Sequence, residues 1–109
     1  MFEKLERVKS RYEEIAVLLA DPGITSNQNE YRKLSKEYSD LGEVVEAYDK
    51  YVSTKRLSEE NRELMYSSND QELKELAKAE QEELDLRLEK IEAHIKELLI
   101  PKDPADDKN

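Results

Sequence analysis

The sequence predicts an all-α fold of three helices, the second and third forming a long antiparallel helical hairpin with helix 1 packed at its base. Apolar residues recur at spacings of three and four along most of the chain, the signature of helices with one buried face. Two short breaks, Asp21-Pro22-Gly23 and Ser67-Ser68-Asn69, divide this periodic stretch into three. Finally, 41% of residues are charged and 37% hydrophobic, with two glycines, three prolines and no tryptophan, a composition of amphipathic paired helices rather than a sheet. With 109 residues the chain forms one domain, residues 1–100, with a modest core and no room for a deep enclosed active site.

Phe2, Leu5, Val8, Tyr12, Ile15, Leu18 and Leu19 share one face of the first helix. Pro22-Gly23 ends it, in a turn where Gly23 is expected to take a positive φ. Ser26 or Asn27 can cap the second helix, and Asn27 with Glu30 has the spacing of a capping box. From there Tyr31, Leu34, Tyr38, Leu41, Val45, Tyr48 and Val52 form a coiled-coil-like seam. After Val52 it fades: Lys55, Glu59 and Arg62 take the next seam positions, while Leu57, Leu64 and Met65 point to a stripe that shifts face or a helix that projects into solvent. A second helix from about Gln28 to Met65 would be about 55 Å long. Asn69 with Glu72 repeats the capping-box spacing for a third helix, whose seam is Leu84, Leu88, Ile91, Ile95 and Leu98. Glu83 with Arg87 and Glu92 with Lys96 support it at i and i+4, by about 0.2 to 0.5 kcal/mol each.

The formal net charge is -9, so phosphate backbones are repelled overall and free nucleic acid is not expected as a ligand. Contact with RNA would need a local basic patch. Lys4, Arg7 and Arg11 share one face of the first helix and form the densest such face, and Arg32, Lys33 and Lys36 at the start of the second helix are a group that the fold could bring near it. The overall acidity weighs toward ordinary solvated charge for both groups. No cysteine is present, which fits a reducing, cytoplasmic setting, and the charged N-terminus lacks the apolar run of a signal peptide or membrane span.

No catalytic constellation emerges. Glu59, Glu60 and Glu63, like Glu80, Glu82 and Glu83, sit among solvated residues, whereas acid/base catalysis needs environments that push two carboxyl pKa values apart. His94 is the only histidine and, without cysteine, makes no zinc site. Gly23 and Gly42 are too far apart for a phosphate-binding loop, so neither a cofactor nor a nucleotide is expected. Gly42 costs its helix about 1 kcal/mol relative to alanine, which points to close packing or a bend. Tyr31, Tyr38 and Tyr48 read as core residues whose hydroxyls reach the rim, rather than as a stacking platform for bases.

The apolar pattern stops at Leu98-Leu99-Ile100, and Pro101-Lys102-Asp103-Pro104-Ala105-Asp106-Asp107-Lys108-Asn109 follows. Proline prevents helical continuation, so residues 101–109 read as an exit linker toward missing domains. This tail is similar to the junction that closes the N-terminal helical domain in the release factor 1 family of bacterial class I peptide chain release factors. Asp70 to Leu84 resembles the start of that domain's last helix, and Tyr31 to Leu41 its central one.

The resemblance implies translation termination at UAA and UAG, with codon reading and peptidyl-tRNA hydrolysis carried by domains beyond the linker. Neither the Gly-Gly-Gln nor the Pro-x-Thr motif occurs in the chain, so no catalytic residue carries over and the domain is not itself an enzyme. It further implies docking on the ribosome at the stalk base of the large subunit, protein and rRNA together, near the termination GTPase. On that reading Lys4, Arg7 and Arg11 are the best candidates for the rRNA or stalk contact. No membrane partner is expected, and the chain should be a monomer or weak dimer. An alternative is a coiled-coil adaptor or chaperone-like helical hairpin unrelated to translation. A tRNA synthetase arm is disfavoured because Glu72 to Glu97 is predominantly acidic.

Overall fold

A computed structural model describes residues 2–100; the exit linker read at 101–109 lies outside the described residues. Three α-helices follow in order, α1 (Phe2–Ala20), α2 (Gln28–Ser67) and α3 (Gln71–Leu98), with a short 3₁₀ helix at Pro22–Ser26 between the first two. The 40 residues of α2 span about 60 Å at ~1.5 Å per residue.

The joints differ in detail from the sequence reading. No described residue has a positive φ. The chain leaves α1 through the 3₁₀ helix instead, with Pro22 in its first turn and Asp21 Oδ1 accepting the Gly23 N–H at 3.0 Å. Proline suits that position because its missing N–H would have had no helical partner. Asn27 caps α2, its Oδ1 accepting the Glu30 N–H at 3.2 Å. The cap of α3 is Asp70 rather than Asn69: its side chain accepts the Glu72 N–H at 3.0 Å, while its own N–H donates to Ser68 Oγ at 3.1 Å. Asp70 also places a negative charge at the positive end of the helix dipole, which Asn69 would not.

The chain divides into two compact units, Met1–Tyr48 and Asp49–Asn109. In the first, α1 runs antiparallel to the first half of α2. Glu6 accepts the Tyr48 hydroxyl, Arg11 meets Glu37, and the rings of Tyr12 and Tyr38 stack with centroids 4.4 Å apart and planes 10° from parallel. Leu5, Ile15, Leu34, Val45 and Tyr48 are buried. Gly42 serves this contact. A Cβ built there would lie 3.4 Å from Tyr12 Cε2, at van der Waals contact, so the ring packs directly against this position.

In the second unit, α3 runs antiparallel to the second half of α2 and forms the hairpin. Tyr51 donates to Glu92 at 3.1 Å near one end, and Asn61 donates to the Ala77 carbonyl at 2.7 Å toward the other. Of the two readings for the end of the α2 seam, the structure shows the shift of face. Val52, the expected next position, is exposed, as is Tyr31 at the start of the helix. Tyr51, Thr54 and Ser58 are buried instead, and Asn61 and Met65 half-buried, continuing the alternation of three and four one position earlier. Facing them are Ala77, Gln81 and Leu84 of α3. Gln81 Nε2 donates to Ser58 Oγ at 2.7 Å and to Asp85 Oδ1 at 3.0 Å, while its Oε1 accepts from Asn61 at 3.1 Å. Arg62 reaches Asp85 at 3.4 Å. Among the described residues no buried side-chain polar atom lacks a partner, which this seam requires since an unpaired buried amide costs about 1 to 3 kcal/mol.

Candidate functional site

Glu59, Glu60, Glu63, Glu80, Glu82, Glu83 and His94 are all exposed, and among the described residues no group of three or more acidic, His or Cys side chains can hold a metal ion. What remains is surface, and on an acidic chain the cationic parts of that surface are informative.

The expected basic stripe on α1 is divided by the fold. Lys4 and Arg7 are exposed. Arg11 is not free in the same way: its Nε donates to Glu37 Oε1 at 2.8 Å and a terminal nitrogen to Glu37 Oε2 at 3.1 Å, a two-point clamp, and another nitrogen reaches Glu14 at 3.2 Å. These bonds hold the Glu37 carboxyl below its ordinary value, the hydrogen bond from Arg11 being the main cause. A lowered folded-state value means that the pair stabilises fully above the unfolded carboxyl's 4.5 and loses that contribution as pH falls through the lower folded value. Both side chains are about two-fifths exposed, so water screens the pair and the effect is small. In an acid unfolding series, Glu37→Gln is therefore expected to be less stable than the parent chain at neutral pH. The gap should close below about pH 4.5; one that stays constant into strong acid would show that the clamp is not the cause.

A second cationic group, Arg32, Lys33 and Lys36, lies near the start of α2, and the fold does not bring it to the first. Because Glu6 lies opposite Tyr48 and the helices are antiparallel, Lys4 lies near the Tyr48 end of the unit. Arg32 is sixteen residues back along α2, about 24 Å away. Beside it an open groove of about 430 Å³ is lined by Thr25, Gln28, Tyr31 and Arg32. Sequence reasoning placed Tyr31 in the core on spacing alone. Its position at the very start of the seam, beside the last turn of α1, was the signal that it would be only partly covered.

Comparison with known proteins decides the family. The PCRF domain matches residues 8–109, nearly the whole chain. The chain belongs to the PCRF domain family. It is 49% identical over all 109 residues to peptide chain release factor 1 of Geobacter sulfurreducens, and 45% identical to that of Chloroherpeton thalassium. Release factor 1 of Geobacter metallireducens is 49% identical over the same span. In each case the match takes in 100% of this chain but 30% of the relative, so this PCRF domain chain spans less than a third of the curated relatives it matches. No solved structure matches it. No described helix of the domain is long and apolar enough to cross a membrane.

Proposed function

We propose that this PCRF domain is the N-terminal docking domain of a cytoplasmic peptide chain release factor that directs termination at UAA and UAG. The observation that carries this reading is the unbroken similarity to release factor 1 over all 109 residues. In this view the domain supplies no reacting group. Codon reading and hydrolysis of the peptidyl-tRNA ester, through a Gly-Gly-Gln loop, belong to domains reached through the linker at 101–109. The helical domain contributes affinity and position, by contact with the protein and rRNA of the large-subunit stalk base near the termination GTPase. The reading frame beyond the Asn109 codon is a direct test: a continuation encoding Gly-Gly-Gln is expected, and an immediate stop codon would refute the assignment.

Lys4 and Arg7 are the part of the α1 stripe best suited to face RNA, since Arg11 is engaged by Glu37 and reversing it would set two carboxylates against each other. Lys4→Glu with Arg7→Glu in the complete factor is expected to slow ribosome association and flatten its salt dependence while leaving helicity unchanged. Stopped-flow binding at several salt concentrations measures this, and unchanged association would return both residues to ordinary surface.

A further inference from the structure

We infer that the junction of the 3₁₀ helix and α2 is an RNA-contact site, where Tyr31 stacks on an unpaired base and Arg32 and Lys33 meet the flanking phosphates. The inference rests on the docking role proposed above and assigns the chemistry of one contact.

Three observations converge on this junction. Between residues 22 and 36 the chain carries three cations, Arg32, Lys33 and Lys36, and one carboxylate, Glu30, whereas the whole chain has a formal net charge of -9. Among the described residues no ion pair engages any of those cations, in contrast to Arg11, Arg62 and Arg87. Second, Tyr31 is 42% exposed although its relatives on the seam, Tyr48 and Tyr51, are buried. Third, Tyr31 and Arg32 line one groove together with Thr25 and Gln28. An aromatic face beside a guanidinium and two hydrogen-bonding side chains matches what splayed-out bases use: stacking on rings and Arg planes, and polar groups for base edges. The local positive charge selects a polyanion over an acidic chain's other partners.

The complete product of the reading frame, carrying a photo-crosslinking phenylalanine derivative at position 31, is bound to bacterial ribosomes with a stop codon in the decoding site. Crosslinks to rRNA are expected. In parallel, Tyr31→Leu should weaken binding about tenfold and Tyr31→Phe should restore it, since the ring rather than the hydroxyl stacks. A merely structural role would not separate Leu from Phe at an exposed site. Arg32→Ala with Lys33→Ala should reduce the slope of log affinity against log salt by about 1.4. Binding without rRNA crosslinks at 31, crosslinks to ribosomal protein alone, or unchanged affinity in Tyr31→Leu would overturn the RNA site while leaving the docking role intact. Failure of the unsubstituted product to bind ribosomes would overturn both.

Discussion

Truncating Leu84 to alanine is expected to cost about 3 kcal/mol, a large share of the total stability of a domain this size. Leu84 is 2% exposed and sits at the middle of the α3 seam, between Gln81 and Leu88, so its removal leaves a cavity that two helices held by a short turn cannot easily close. Urea unfolding followed by circular dichroism should show the midpoint lowered by roughly 2 M at a slope of about 1.5 kcal/mol/M. Leu86 supplies the control. It has the same side chain on the same helix but is 58% exposed, and Leu86→Ala should stay within about 0.5 kcal/mol of the parent. Equal effects at the two positions would mean that α3 does not present the face described.

The second large effect is expected at Gln81, and its sign depends on what accompanies it. Gln81→Leu alone removes the partner of Ser58 Oγ, which is 1% exposed, and the acceptor of one Asn61 hydrogen bond, leaving polar groups buried without relief. A loss of about 2 kcal/mol follows. Replacing the set together, Ser58→Ala with Asn61→Leu and Gln81→Leu, should recover most of that loss, because apolar groups in place of both partners leave nothing unsatisfied. The recovered stability would come with a looser fit. Hydrogen bonds between named partners permit one alignment of α2 against α3, whereas a Leu- and Ala-filled seam tolerates others, as a single buried Asn sets register in coiled coils. Doubled amide cross-peaks from residues 54–61 and 77–85 in the triple variant are the expected sign. If the triple variant is as unstable as the single one, the network is not what the single substitution breaks.

The contrast between the two halves of α2 explains how much was legible beforehand. The spacing of Leu34, Tyr38, Leu41, Val45 and Tyr48 is carried by apolar residues, and the helix that packs on them follows from it. Beyond Val52 the same spacing is carried by Thr54, Ser58 and Asn61, opposite Gln81, and a reading that searches for hydrophobicity takes these for solvent-facing residues. Their complementarity exists only between two helices, so neither strand of sequence announces it alone. Gly42 was legible as a place of close approach; that the Tyr12 ring is what lies beside it was not, since the pairing joins residues thirty apart. Arg11 was read correctly as a cation on a face with Lys4 and Arg7, but its engagement with Glu37 is a tertiary fact. The groove at Tyr31 escaped because a residue at the end of a periodic run satisfies the pattern whether or not it is fully covered.

The stacked pair of Tyr12 and Tyr38 has a consequence for observing the molecule. The chain has no tryptophan, so its aromatic absorption comes from six tyrosines and one phenylalanine. Two phenol rings held 4.4 Å apart and nearly parallel are electronically coupled in a way that separated rings are not. The Tyr12 hydroxyl is also held above its ordinary pKa, chiefly by its hydrogen bond with Tyr38 and then by burial, so its phenolate band should emerge late in an alkaline titration. The stacked rings lie in Met1–Tyr48, whereas late titration is shared with Tyr51 of the other unit, whose hydroxyl is raised by burial and by Glu92. The chain thus carries a built-in optical label on one of its two units, by which that unit's melting can be followed without attaching a dye.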